Sequence, residues 1–216
     1  MSETTSSFDF NAFIKESKET LLNPKAYFSI MKTSGGMTEP IIKALIYGVV
    51  TGVIGFLWGI LGLGFKVGIF GGAIGAMALV WTIIAALIGL FIGAVVLLII
   101  SSICKGNSDF EANMRVVAAV MVIMPINALL GFTLGINSTL GMIVSLCVSL
   151  YGLYLLYHGL TGALKANPAT TKIVMYVLAA LLVLFMIVGL GTRNRVNRFM
   201  KDVENRDLQE MTIDKE

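Results

Sequence analysis

Between Ile41 and Thr192, 152 residues hold eight charged side chains: Lys43, Lys66, Lys105, Asp109, Glu111, Arg115, Lys165 and Lys172. The two acids, Asp109 and Glu111, sit in a loop, so paired carboxylates for acid–base or two-metal chemistry are missing from the apolar runs. No acidic residue falls inside an apolar run, which argues against a proton-coupled carrier or pump. Glu111 and Arg115 stand four apart at the start of such a run and read as a local ion pair on a helix. His158 is the one histidine of the chain. It has no companion ligands at metal spacing, and Tyr151, Tyr154 and Tyr157 beside it read as an interfacial aromatic belt. Its alternative is a ligand or proton-relay role. Asn127 follows Pro125, which removes a backbone donor and bends a helix. Its amide is expected to satisfy freed backbone or bond a neighbouring helix, with a substrate contact as the alternative. Cys104 and Cys147 have neither disulfide nor metal spacing. No phosphate-binding glycine loop, G-x-S-x-G or H-E-x-x-H is present, so no catalytic residue, metal or cofactor is expected and an enzyme is not.

The elements that carry these residues follow from composition. Of 216 residues, 56% are hydrophobic and 13% charged, against about 25% charged in soluble domains. The mean hydropathy is +0.86. A soluble enzyme or a nucleic-acid-binding domain is excluded. A lipid core of about 30 Å needs about 20 helical residues, and backbone groups in lipid must pair internally, so long apolar runs must be helices. The fold class is all-α, a polytopic helical membrane protein of about five spans with amphipathic N- and C-terminal helices.

The spans are placed at 41–63, 79–102, 114–135, 140–164 and 171–191 within a bundle over 38–192. Thr38-Glu39-Pro40 marks the first entry, after the Ser34-Gly35-Gly36 hinge. Val67 to Cys104 is long enough for two spans; its early glycines suggest a re-entrant or interfacial element at 66–78 and one span after it. With the N-terminus inside, five spans put Lys105, Arg115, Lys165 and Lys172 inside, as the positive-inside rule prefers. Six would put them outside. The basic tail argues the other way.

Residues 1–37 form a polar tail. No cleavable signal peptide is expected there. A helix starting at Asp9 would carry Phe10, Phe13, Ile14 and Leu21 near one face, and Asn23-Pro24 would open a second bearing Tyr27, Phe28 and Met31. Phe10, Phe13, Tyr27 and Phe28 are expected to contact the membrane interface or a partner. Residues 193–216 form a basic amphipathic tail in which Arg193, Arg195 and Arg198 are the expected contacts. Small-xxx-small pairs recur at Gly48/Gly52, Gly55/Gly59, Gly71/Gly75, Gly89/Gly93 and Gly131/Gly135. Such pairs let helix backbones approach in lipid. Packing within one subunit is the first reading, and association with a protein partner or a second copy is the other. The bilayer is an expected partner and nucleic acid is not.

The order of these features resembles the Ypt-interacting protein (Yip) family of five-span membrane proteins, particularly its shorter prokaryotic branch. The resembling residues are Asn23-Pro24-Lys25-Ala26-Tyr27-Phe28, the Glu39-Pro40 entry, and Phe110, Arg115 and Val116 leading to Pro125. Tyr151-Gly152-Leu153-Tyr154 and Tyr157-His158-Gly159-Leu160 complete the pattern. The resemblance implies five helical spans and a cytoplasmic N-terminus. Eukaryotic members are non-enzymatic factors that bind Rab-type GTPases and shape or sort membranes. Their D-L-Y-G-P motif is not found and the N-terminal region is shorter, so small-GTPase binding is not carried over. The expected function is a scaffold, adaptor or accessory subunit in a bacterial cytoplasmic membrane. Its rival is a small-solute channel or permease.

Overall fold

The computed structural model describes residues 8–62 and 71–189; in the helix that opens at Gly71, side chains are described for Met77 and from Leu79 onward. Every element among the described residues is helical. α1 (Phe10–Leu22) and α2 (Pro24–Ile30) precede the bundle. Asp9 caps α1, its Oδ1 accepting from the Asn11 and Ala12 amides at 2.9 and 3.0 Å, and Pro24 opens α2 with its φ already helical. α3 (Thr38–Ile60) and α4 (Gly71–Ile103) follow. Next come α5 (Phe110–Val120), α6 (Ile123–Leu130) and α7 (Thr133–Ile136), then α8 (Ser138–His158) and a π-helical turn (Gly159–Ala163). The last of the described helices, α9, is Pro168–Gly189.

Among the described residues, five helical stretches are long and apolar enough to cross a membrane: Thr38–Ile60, Leu79–Ile103, Phe110–Ile136, Ser138–Ala163 and Pro168–Gly189. The expected element at 66–78 lies partly outside the described residues. From Gly71 on, the backbone runs as one helix of 33 residues, so no break separates its first turns from the span. The glycines that make this region a poor helix in water do not prevent one where backbone groups must bond internally. At 1.5 Å per residue α4 is about 50 Å long, well beyond a bilayer core of about 30 Å.

The third span is three helices rather than one. Pro125 cannot donate to the Met121 carbonyl one turn back, and the ladder tightens at residues 121–124, where the Val122 amide donates to Ala119 and the Met124 amide to Met121, each three residues back. A second break follows at 131–132, where the Trp58 indole on α3 donates to the Ala128 carbonyl at 3.0 Å. That carbonyl also accepts from the Gly131 amide at 3.0 Å, so the side chain from another span adds to a tightened backbone turn.

Leu90, Leu97, Met114 and Leu155 fill the interior, and small residues stand where helices approach closely. Ala44, Ala86, Ala94, Ala118 and Ala119 are buried at helix contacts, while Val53, Leu57, Ile92, Ile99, Phe185 and Ile187 face outward. A Cβ on Gly48 would stand 2.9 Å from Ala86 Cβ and 3.3 Å from Ile83 Cα. On Gly52 it would meet Leu79 at 3.2 Å, and on Gly93 Val117 at 3.0 Å. Gly55, Gly59 and Gly89 have nothing within 4 Å, Gly131 meets only its own Ala128 and Asn127, and Gly135 is exposed. Gly48→Ala is therefore expected to cost about 1–3 kcal/mol by overpacking against backbone. Gly55→Ala should gain up to about 1 kcal/mol from helix propensity. Thermal unfolding in detergent measures both.

The loops after α4 and after the π-helical turn form a clasp. The Asn107 amide donates to the Leu164 carbonyl at 2.7 Å, and the Asn167 amide to the Cys104 carbonyl at 2.8 Å. Lys105 and Lys165 hold matching left-handed conformations, φ 57° and 55°. Cys104-Lys105-Gly106-Asn107 and Leu164-Lys165-Ala166-Asn167 thus meet in a two-fold-like exchange, which joins two helical hairpins at one end of the bundle.

Candidate functional site

The N-terminal helices sit on the clasp end. Phe28 of α2 is 0% exposed and wedges against the π-helical turn, where a Cβ on Gly162 would meet its backbone at 3.1 Å and one on Gly159 its ring at 3.5 Å. Phe13 stacks on Tyr47 of α3 with centroids 5.2 Å apart, and Ser17 Oγ lies 2.7 Å from Tyr47 Oη. The Tyr151 hydroxyl donates to the Leu21 carbonyl. The expectation that Phe13, Tyr27 and Phe28 face the membrane or a partner is therefore corrected: all three are buried inside the fold. The amphipathic face of α1 had two available partners, lipid and the end of the bundle, and the bundle covers Phe13. Phe10 and Ile14 remain 56% and 52% exposed, at the edge of that face.

Beneath this cap, five charged side chains form a chain of ion pairs. Lys43 Nζ donates to Glu16 at 2.6 Å and to Glu39 at 2.7 Å. Arg115 donates from Nη1 to Glu39 at 2.8 Å and from Nε to Glu111 at 3.1 Å. Its Nη2 donates to the Gly36 carbonyl at 2.9 Å, and the Gly36 amide donates to Glu111 at 2.6 Å. Gly36 can serve both groups because its φ of +94° lies in the left-handed region open to glycine. The network thus joins α1, the hinge, α3 and α5.

Lys43 and Arg115 keep 10% and 7% of their side-chain exposure; Glu16 and Glu39 keep 40% and 42%. Each buried cation meets two carboxylates, which offsets the cost of removing it from water. Nearby, burial pushes the Tyr27 phenol above its ordinary range, with the Lys43 ammonium opposing in part, so it stays protonated at neutral pH. The network borders a pocket of about 490 Å³ whose wall includes Lys15, Glu19, Tyr27, Ile30, Met31 and Lys32. These groups bind and position one another. Among the described residues, no three His, Cys, Asp or Glu side chains converge as a metal site.

Sequence reading found the Glu111–Arg115 pair but not its extension to Glu39, Lys43 and Glu16. The local signal was present, since Glu39 and Lys43 are also four apart and both cations stand about one turn inside their spans. The other polar candidates lie elsewhere. Asn127 Oδ1 accepts from Ser145 Oγ at 3.2 Å, a bond between α6 and α8. His158 meets the ring edges of Tyr154 and Tyr157, with centroids 4.7 and 5.3 Å apart. Neither lines the pocket. Arg193, Arg195 and Arg198 lie outside the described residues.

Among known proteins, the family model described as the Yip1 domain matches residues 18–190. No curated protein and no solved structure matches. The family match covers α2, all five spans and the second half of α1, with Glu39, Lys43, Glu111 and Arg115 inside it and Glu16 just before it.

Proposed function

Because the chain belongs to the Yip1 domain family, we propose that this integral membrane protein is a non-enzymatic scaffold, adaptor or accessory subunit whose docked N-terminal cap is its working surface. The observation that carries this reading is the ion-pair chain. Its buried cations are engaged in holding four segments in place, while Phe10, Ile14, Leu22 and Ile30 stay exposed on the cap they hold. A fixed helix pair with an exposed apolar edge beside the headgroups suits a partner helix or the bilayer surface.

The cap shares its end of the bundle with Lys105, Arg115, Lys165 and Lys172, which by the positive-inside rule is the cytoplasmic end. In this reading the chain is of the prokaryotic type and resides in a bacterial cytoplasmic membrane. Small-GTPase binding is not part of it. The test is affinity purification of the full chain in mild detergent. A stoichiometric protein partner that is lost in F10D/I14D supports the proposal. A partner-free homo-oligomer with a solute flux in reconstituted vesicles, abolished by Asn127→Ala, would replace it with a channel.

A further inference from the structure

The pocket under the cap carries its charged groups in an ordered way. On its floor, with Glu111 behind Arg115, three carboxylates face two cations and leave a net charge of −1. On its rim stand Lys15 and Lys32, both exposed, with the half-buried Glu19, a net charge of +1. Ile30, Met31, Pro40 and Ala118 supply an apolar flank. Ile30 is 81% exposed. This arrangement lies at the end of the spans, where lipid headgroups stand, and its volume of about 490 Å³ falls in the range of small-ligand sites.

We propose that the pocket binds a phosphoethanolamine headgroup, with the phosphate at Lys15 and Lys32 and the primary ammonium directed to the carboxylates of Glu16 and Glu39. A lysine ammonium pairs with phosphate as a point charge. The ligand's own ammonium brings three N–H donors, and Glu16 and Glu39 are exposed enough to accept from it while still pairing with Lys43. A quaternary choline carries the same charge without donors, and a glycerol headgroup carries no cation. Both should bind less well. The separation of charge is what distinguishes this site from a basic patch, which would favour any anionic lipid. The proposal goes beyond the scaffold reading and holds whichever partner the cap engages.

The experiment uses the full-length protein purified in detergent, with bound lipid counted by native mass spectrometry. Short-chain phosphatidylethanolamine, phosphatidylcholine and phosphatidylglycerol are titrated in parallel with water-soluble glycerophosphoethanolamine. Phosphatidylethanolamine is expected to bind at least about tenfold more tightly than the other two lipids, as for loss of one charge-assisted hydrogen bond. K15A/K32A should weaken all three lipids, since each carries the phosphate that the lysines hold, and Glu16→Gln should narrow the preference for phosphatidylethanolamine. Both lysines are exposed, so the variant is expected to keep the wild-type unfolding temperature, which is measured alongside. Equal binding of the water-soluble compound identifies a soluble ligand as the source, and binding of the lipid alone identifies the bilayer; either supports the assigned chemistry. Equal retention of all three lipids, affinities unchanged in K15A/K32A, or a preference unchanged in Glu16→Gln would overturn it.

Discussion

Replacing Arg115 by methionine is expected to destabilise the folded protein by about 3 kcal/mol, near the lower end for removing one partner of a buried ion pair. The guanidinium is 7% exposed and holds Glu39, Glu111 and the Gly36 carbonyl at once. The lower end applies because Glu39 retains 42% of its side-chain exposure and also keeps Lys43. Glu111 retains the Gly36 amide. Arg115→Lys should recover part of the loss, since an ammonium supplies the charge but not the planar fork that reaches three acceptors. Glu16→Gln, at a partner 40% exposed, should cost under about 1 kcal/mol. Thermal unfolding in detergent ranks the three, and a loss for Arg115→Met no larger than for Glu16→Gln would contradict the central position of Arg115.

Phe28→Ala is expected to cost about 3–5 kcal/mol, the range for a fully buried phenylalanine truncated to leave a cavity. The ring is 0% exposed and sits where the π-helical turn brings Gly159 and Gly162 against it. Had Phe28 been a membrane-surface anchor, the same substitution would weaken membrane contact and leave the unfolding temperature almost unchanged. The unfolding temperature separates the two. Ile30→Ala, two residues on at an 81% exposed position, is the matched control and should change stability by less than about 0.5 kcal/mol.

The spans were legible because each is a long apolar run and lipid leaves such a run no alternative to a helix. The Asp9 cap and the first-turn Pro24 were legible because they are local chemistry, although Asn23 makes no side-chain capping bond. Pro125 announced a bend, but the second break at 131–132 carries no proline, and the Trp58 contact made there spans 70 residues. The fate of Phe13, Tyr27 and Phe28 was not legible, because an amphipathic helix shows the same periodicity whether lipid or protein covers it. The site was half-visible for a related reason: pairs four apart show in a sequence, whereas Lys43–Glu16 and Arg115–Glu39 join segments 27 and 76 residues apart. The glycine pairs split likewise. Gly48 and Gly52 meet α4, whereas Gly55 and Gly59 meet nothing within 4 Å, and only three-dimensional placement distinguishes them.

The central claim is that the N-terminal helices are a docked part of the bundle, held by the Glu16–Lys43–Glu39–Arg115 chain. Amide hydrogen exchange of the full chain in lipid nanodiscs tests it most directly, comparing wild type with Lys43→Met. Slow exchange is expected across residues 10–22 in wild type and markedly faster exchange there in the variant, with residues 45–57 of α3 protected in both. Fast exchange across residues 10–22 in wild type, or protection indifferent to Lys43, would contradict it.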